Sequence, residues 1–242
     1  MTPEKFVGLL AGYTNLQPFS QSEFRKNNLP QITHPLCSGL VDGWLRSMQQ
    51  GGDFFNSVSA PDDQLLRYLV GRQANNYYPL LPIDESIQLS SNDSALLKKK
   101  YQVKDVGRLI AEMKRAGAKD MLSFDLMKFF EVENASISGF ERVDGSFFKE
   151  ILPEQRSSQT IIQLFIVRYL SGKGPAELKK SHRMAVYRDD SGWHFFDPNS
   201  GYIHFSSVYS ARLWFGRFWK TSSYSTRKPV PGVDLLSVYT LF

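Results

Sequence analysis

The sequence is poor in everything that would staple or anchor a chain. It holds a single cysteine, so an internal disulfide and every cysteine-rich metal site are excluded. Its four histidines are scattered, with no ligand pair at helical spacing, which argues against structural zinc and leaves no cofactor implied. Long apolar runs are missing too. Ile161–Ile162 and Leu164–Val167 are broken by Gln163 and Arg168, far short of the roughly 20 apolar residues a membrane helix needs. Met1 to Tyr13 has no long apolar centre and no small-residue cleavage site, so no conventional signal peptide is visible. A reduced thiol suits a reducing compartment, whether the producing cell's cytoplasm or the cytosol of another cell. A dominant charge is also lacking: 29 basic residues alternate with 24 acidic ones for a net +5, which does not indicate a nucleic-acid binder.

What is present is enough hydrophobic content, 42% over 242 residues, for one large core. We expect a single enzyme-sized domain over 1–242, with residues 1–30 a partly flexible lead-in. Glu4–Tyr13 has the apolar spacing of a short helix, and Thr14 to Ile32, rich in Asn, Gln and Ser, reads as loop. From Cys37 the chain runs CSGLVDGWLRSMQQGG. Leu40, Val41, Trp44, Leu45 and Met48 recur with helical period and Gly51–Gly52 supply a stop, so Cys37 heads a helix. Further helices are predicted over Asp62–Gln73, Ala95–Tyr101, Val106–Ala116 and Ser123–Phe130. After a polar stretch at Ser136–Ser146, β-branched and aromatic residues predict strands at Thr160–Tyr169, His182–Tyr187, Trp193–Asp197, Tyr202–Ser206 and Leu235–Phe242, although 159–170 also fits a helix. Helices first and strands later give an α+β fold, a helix docked on an antiparallel sheet.

One hairpin carries the chemistry. HRMAVY and WHFFDP flank RDDSG, whose Asp and Gly suit a tight turn. With the turn centred between Asp189 and Asp190, His182 pairs with Asp197, Met184 with Phe195 and Val186 with Trp193, all on one face. A carboxylate beside an imidazole fixes which ring nitrogen carries the proton. A thiol at a helix N-terminus is favoured as thiolate by the helix dipole and by a neighbouring imidazolium. Cys37 would then be nucleophile, His182 base and Asp197 its orienter. Each alone has a plainer reading, since a lone cysteine is commonly a small buried hydrophobe and a lone histidine structural. The oxyanion formed on attack needs fixed donors. One is the Cys37 backbone N–H, and Gln31, six residues upstream, is the best-placed side-chain amide, with Asn27 and Asn28 as substitutes. His194 falls on the opposite face and reads as structural, as do His34 and His204.

Cys-Ser-Gly at a helix head, His182 leading an apolar strand, and FFDPNSG at Phe195–Gly201 resemble the YopT-type cysteine proteases, papain-like effectors that bacteria deliver into host cells. The resemblance covers Gln31–Met48 and Ser181–Phe205. It implies a papain-like fold in which the nucleophile helix packs on a C-terminal antiparallel sheet, and it implies Cys37, His182 and Asp197 as the catalytic triad. The Gln31 assignment rests on the more general papain-like pattern. Cys37 lacks the tryptophan-flanked setting of ordinary papains, and about 145 residues separate it from His182, a gap that admits a helical insertion and leaves substrate preference open. The resemblance further implies a protease effector that cleaves a host protein through a thioester acyl-enzyme and is secreted into the host cytosol; a monomer is expected, and the balanced charge implies no nucleic-acid partner. The same triad also serves glutamine deamidases and transglutaminases, and a non-catalytic interaction protein would keep the fold. Finally, 208–242 sets Arg212, Arg217, Lys220, Arg227 and Lys228 among Trp214, Phe215, Phe218, Trp219 and Tyr224. This reads as a core element with basic edges or as a patch contacting acidic partners or anionic membrane.

Overall fold

The structure is a computed structural model that describes residues 16–75, 91–118, 124–125, 127–128, 135–140, 152, 160–169, 178–221 and 234–241. The helix expected over Glu4–Tyr13 and most of that over Ser123–Phe130 lie outside these residues. In chain order the elements are β1 (Leu16–Pro18), α1 (Gln21–Asn28), α2 (Cys37–Gln49), α3 (Phe54–Ser59), α4 (Asp63–Asn75), α5 (Ser91–Tyr101) and α6 (Val106–Arg115). There follow β2 (Ala135–Phe140), β3 (Thr160–Tyr169), β4 (Leu178–Asp189), β5 (Gly192–Asp197), β6 (Gly201–Phe205), α7 (Val208–Thr221) and β7 (Asp234–Leu241). The expected α+β layout is present, with a cysteine-headed helix packed on an antiparallel sheet.

One expectation fails near the N-terminus: the polar stretch Thr14–Ile32, read as loop, contains β1 and α1. Ser20 caps α1, its hydroxyl accepting from the Glu23 N–H, and Phe24 is buried in the core. The short strand β1 pairs with β6, so the sheet recruits an N-terminal edge strand. Its Pro18 sits at the end of that edge strand, where a missing N–H costs no ladder bond. The strand order is β1-β6-β5-β4-β3-β7-β2, all neighbours antiparallel. The stretch from Ser136, read only as polar, supplies the other edge, β2, paired with β7. The helical alternative for 159–170 gives way to β3, which is hydrogen-bonded on both sides by β4 and β7.

Packing explains why α2 lies where it does. Leu40, Val41, Trp44 and Leu45 are fully buried, each such side chain contributing roughly 1.5–3 kcal/mol by leaving water. Gly39 lets α4 come close: a Cβ there would lie 2.1 Å from the Leu69 carbonyl oxygen. The helix ends where the glycines predict, Gly51 taking φ +67° and the Gly52 N–H reaching back to the Ser47 carbonyl at 2.8 Å.

Both faces of β5 are covered. On one, Phe196 meets Trp44 of α2 at 5.4 Å between ring centroids, together with Phe19, Phe54 and Phe55. On the other, Phe195 meets Trp214, Phe215 and Phe218 of α7. Trp193 to Asp197 is therefore buried at every position, as in a strand covered on both sides. Trp214, Phe215 and Phe218 of the basic C-terminal stretch are thus committed to the core, so the core reading of that element holds for them.

Candidate active site

Three segments converge on the N-terminus of α2. Cys37 is its first residue and is buried. His182 stands in β4, and Asp197 ends β5. The His182 Nε2 donates to Asp197 Oδ1 at 2.7 Å, which leaves Nδ1 as the ring nitrogen for the hydrogen bond between His182 and Cys37. The structure therefore joins all three residues that the sequence singled out.

The register that does so differs from the expected one. Val186 lies opposite Phe195 rather than Trp193, and Asp189 opposite Gly192, so the turn is Asp190–Ser191, one residue later than predicted. The Asp189 carboxylate sets it, Oδ1 accepting from the Ser191 N–H at 2.8 Å and the Gly192 N–H at 3.2 Å. Moving a turn by one residue shifts every cross-strand partner by two, and because strand faces alternate with period two, His182 and Asp197 stay on one face. They meet diagonally instead of directly.

Asp197 is held by more than the histidine. Its Oδ1 also accepts from the Asn199 N–H at 3.0 Å, and its Oδ2 from the Ser200 hydroxyl at 2.7 Å. Its backbone carbonyl takes the Ser200 N–H, closing a tight turn over 198–200. The Asn199 side-chain amide nitrogen lies 3.4 Å from each His182 ring nitrogen.

The environment separates charge across the pair. Burial opposes ionisation of Cys37, but the hydrogen bond and charge of His182, with the Arg183 main-chain N–H and guanidinium, outweigh it and hold the thiol below its ordinary value. Burial likewise opposes charge on His182, yet the buried carboxylate of Asp197 and the sulfur of Cys37 raise it to about 9. For Asp197 the desolvation cost is overcome by His182, Ser200 and the Asn199 N–H, and its carboxyl sits below the usual range. The arrangement favours thiolate and imidazolium. Behind it Arg183, buried, pairs with Asp42 of α2 at 2.5 Å, and Arg72 of α4 reaches the same carboxylate at 2.8 Å.

The amides around Cys37 are partitioned. Leu36 N–H donates to Gln21 Oε1 at 3.0 Å. Ser38 and Gly39 N–H both donate to Gln73 Oε1, at 2.8 and 3.2 Å. Among the described residues the Cys37 N–H has no such acceptor, which leaves it for a developing oxyanion. Gln31 does not join the site. It is exposed in the turn that ends α1, where the Ile32 N–H returns to the Leu29 carbonyl and the Arg25 guanidinium donates to the Ile32 carbonyl. Counting six residues back assumes an extended approach, and this turn interrupts it. Buried Gln21 stands beside the helix head instead.

Sequence reasoning missed Gln21, Gln73 and Arg183; Asn199 and Ser200 were in view only as part of FFDPNSG. His34 is exposed, with Nδ1 3.2 Å from the Pro35 carbonyl. His194 and His204 stack on each other with ring centroids 4.5 Å apart, nearer the hairpin turn. Among the described residues no cluster of His, Cys, Asp or Glu could hold a metal ion, and no helix is long and apolar enough to cross a membrane.

Residues 169–235 match the peptidase family described as Yersinia/Haemophilus virulence surface antigen. The matched stretch contains His182 and Asp197 and does not reach Cys37. Among solved structures the chain is similar to the crystal structure of the Pseudomonas avirulence protein AvrPphB, at 15% identity over 97% of this chain and 99% of that one, with a TM-score of 0.49. No curated protein matches the chain.

Proposed function

We propose that the protein is a papain-like cysteine protease effector that cleaves a host protein through Cys37, His182 and Asp197. The observation that carries this reading is the chain of contacts from the Asp197 carboxylate through His182 to a thiol at a helix N-terminus. The family match over the His-to-Asp stretch supports it independently of that geometry.

In the reaction, the Cys37 sulfur attacks the scissile carbonyl carbon, and the oxygen takes up negative charge facing the Cys37 N–H. His182 then gives its proton to the departing amine as the carbon–nitrogen bond breaks, leaving a thioester on Cys37. Water enters, His182 removes its proton, and the resulting hydroxide displaces the sulfur, releasing the acid and returning the enzyme to its starting state. Asp197 keeps Nε2 protonated throughout, so that Nδ1 does the proton transfer.

The test is mass spectrometry of a host-cell lysate treated with wild type or Cys37→Ala. New peptide termini that depend on Cys37 would bear out proteolysis. Glutamine converted to glutamate on intact chains would identify a deamidase, and no Cys37-dependent change would point to an interaction protein.

A further inference from the structure

Gln21 touches both the residue before Cys37 and the turn that follows Asp197. Its Oε1 accepts from the N–H of Leu36, the residue immediately before the nucleophile, at 3.0 Å. Its Nε2 donates to Asn199 Oδ1. Its own N–H donates to the Pro198 carbonyl at 2.7 Å, while Phe19 N–H reaches the Ser200 carbonyl. Asn199 in turn holds Asp197 through its backbone N–H and presents its amide nitrogen 3.4 Å from both nitrogens of His182. One side chain thus spans from the head of α2 to the turn that orients the base.

The alternatives are poorer. A buried amide serving only to cap a helix needs its oxygen alone, yet both ends of Gln21 are used, and they point to different segments. With the Gln21 donor engaged, the Asn199 oxygen is turned away from the ring and its NH2 group toward it.

We infer that Gln21 is a positioning residue that sets the separation of Cys37 from His182 by tying the Leu36 amide to the Asn199 side chain. This rests on reading Cys37, His182 and Asp197 as the reactive set. The charged or titratable groups facing that set are Arg183 of β4 and, behind it, Asp42 of α2 with Arg72 of α4. The bonds of Gln21 run to Leu36, Asn199 and Pro198 rather than to these charges, so its removal acts through geometry.

The experiment is the pH dependence of Cys37 alkylation by iodoacetamide in the full chain, with thermal melting as a check on folding. Wild type should react well below the ordinary thiol range, and His182→Ala should abolish that acid limb. Gln21→Met should move the midpoint upward by about one pH unit, on the order of tenfold less thiolate at a given acid pH, while melting changes little. Gln21→Glu keeps an acceptor for Leu36 and loses the donor to Asn199, so it should shift the midpoint in the same direction even if the Met variant folds poorly. Asn199→Ala should shift it too, and the double variant should shift it no further, because the two residues act as one unit. A wild-type midpoint retained in both Gln21 variants overturns the inference and leaves the triad standing. A wild type with no acid limb, or one that survives His182→Ala, overturns the triad reading and this inference with it.

Discussion

The hairpin β4–β5 holds two histidine–carboxylate pairs, one near each end, and they behave oppositely. Near the open end His182 meets Asp197 at 2.7 Å; near the turn His194 meets Asp189 at 3.1 Å. Asp197 is wholly buried, whereas the Asp189 side chain is 32% exposed. His182 is raised to about 9, while burial, with the stacked His204, leaves His194 lowered despite its carboxylate. A carboxylate within reach is therefore insufficient. Its strength depends on how little water shares it.

The turn end even offers a serine. Ser191 Oγ lies 3.1 Å from His194 Nε2, but Asp189 Oδ1 contacts that same nitrogen, and Nδ1 is occupied by the Tyr202 hydroxyl at 2.9 Å. A relay needs the acid and the nucleophile on opposite ring nitrogens. At the open end they are; at the turn end they are not.

Substitutions should expose this difference. Asp197→Asn should lower turnover on the order of 10³–10⁴-fold by favouring the wrong tautomer of His182, whereas Asp189→Asn should leave turnover near wild type; steady-state rates on a cleaved substrate check both. Gly39→Ala should destabilise the protein by about 2 kcal/mol or more, because the new methyl meets the Leu69 backbone rather than a side chain that can turn away. Urea unfolding would read that loss. The pH dependences should run in opposite directions. His182 contributes stability that is complete below its ordinary value of 6.5 and is lost as pH rises through about 9. Lowered His194 contributes stability present above 6.5 that is lost as pH falls. Imidazole proton shifts followed by NMR should show His182 still charged at a pH where His194 is neutral. The smallest effect is expected from His194→Ala, which should leave Cys37 reactivity unchanged in an alkylation assay while loosening the turn.

Much of this difference could be read from the chain. Helical period and paired glycines gave α2 its start and stop, and alternation put His182 and Asp197 on one face while sending His194 to the other. That survived a misplaced turn, because faces repeat every two residues and the error moved partners by two. What resisted reading was set by contacts distant in sequence. Gln21 becomes meaningful only when α1 is stitched to a turn some 180 residues later. The helix itself was signalled by Ser20 and Glu23 at capping-box spacing, a cue hidden among polar neighbours. Gln73 was invisible for the same reason as Gln21: its role exists only where α4 crosses the head of α2.

The most direct test of the central claim is intact-mass analysis after incubation with an amide-directed thiol probe. The account predicts one adduct on Cys37 in wild type and in His194→Ala, and none in His182→Ala. Equal labelling of wild type and His182→Ala, or no labelling of wild type, would contradict it.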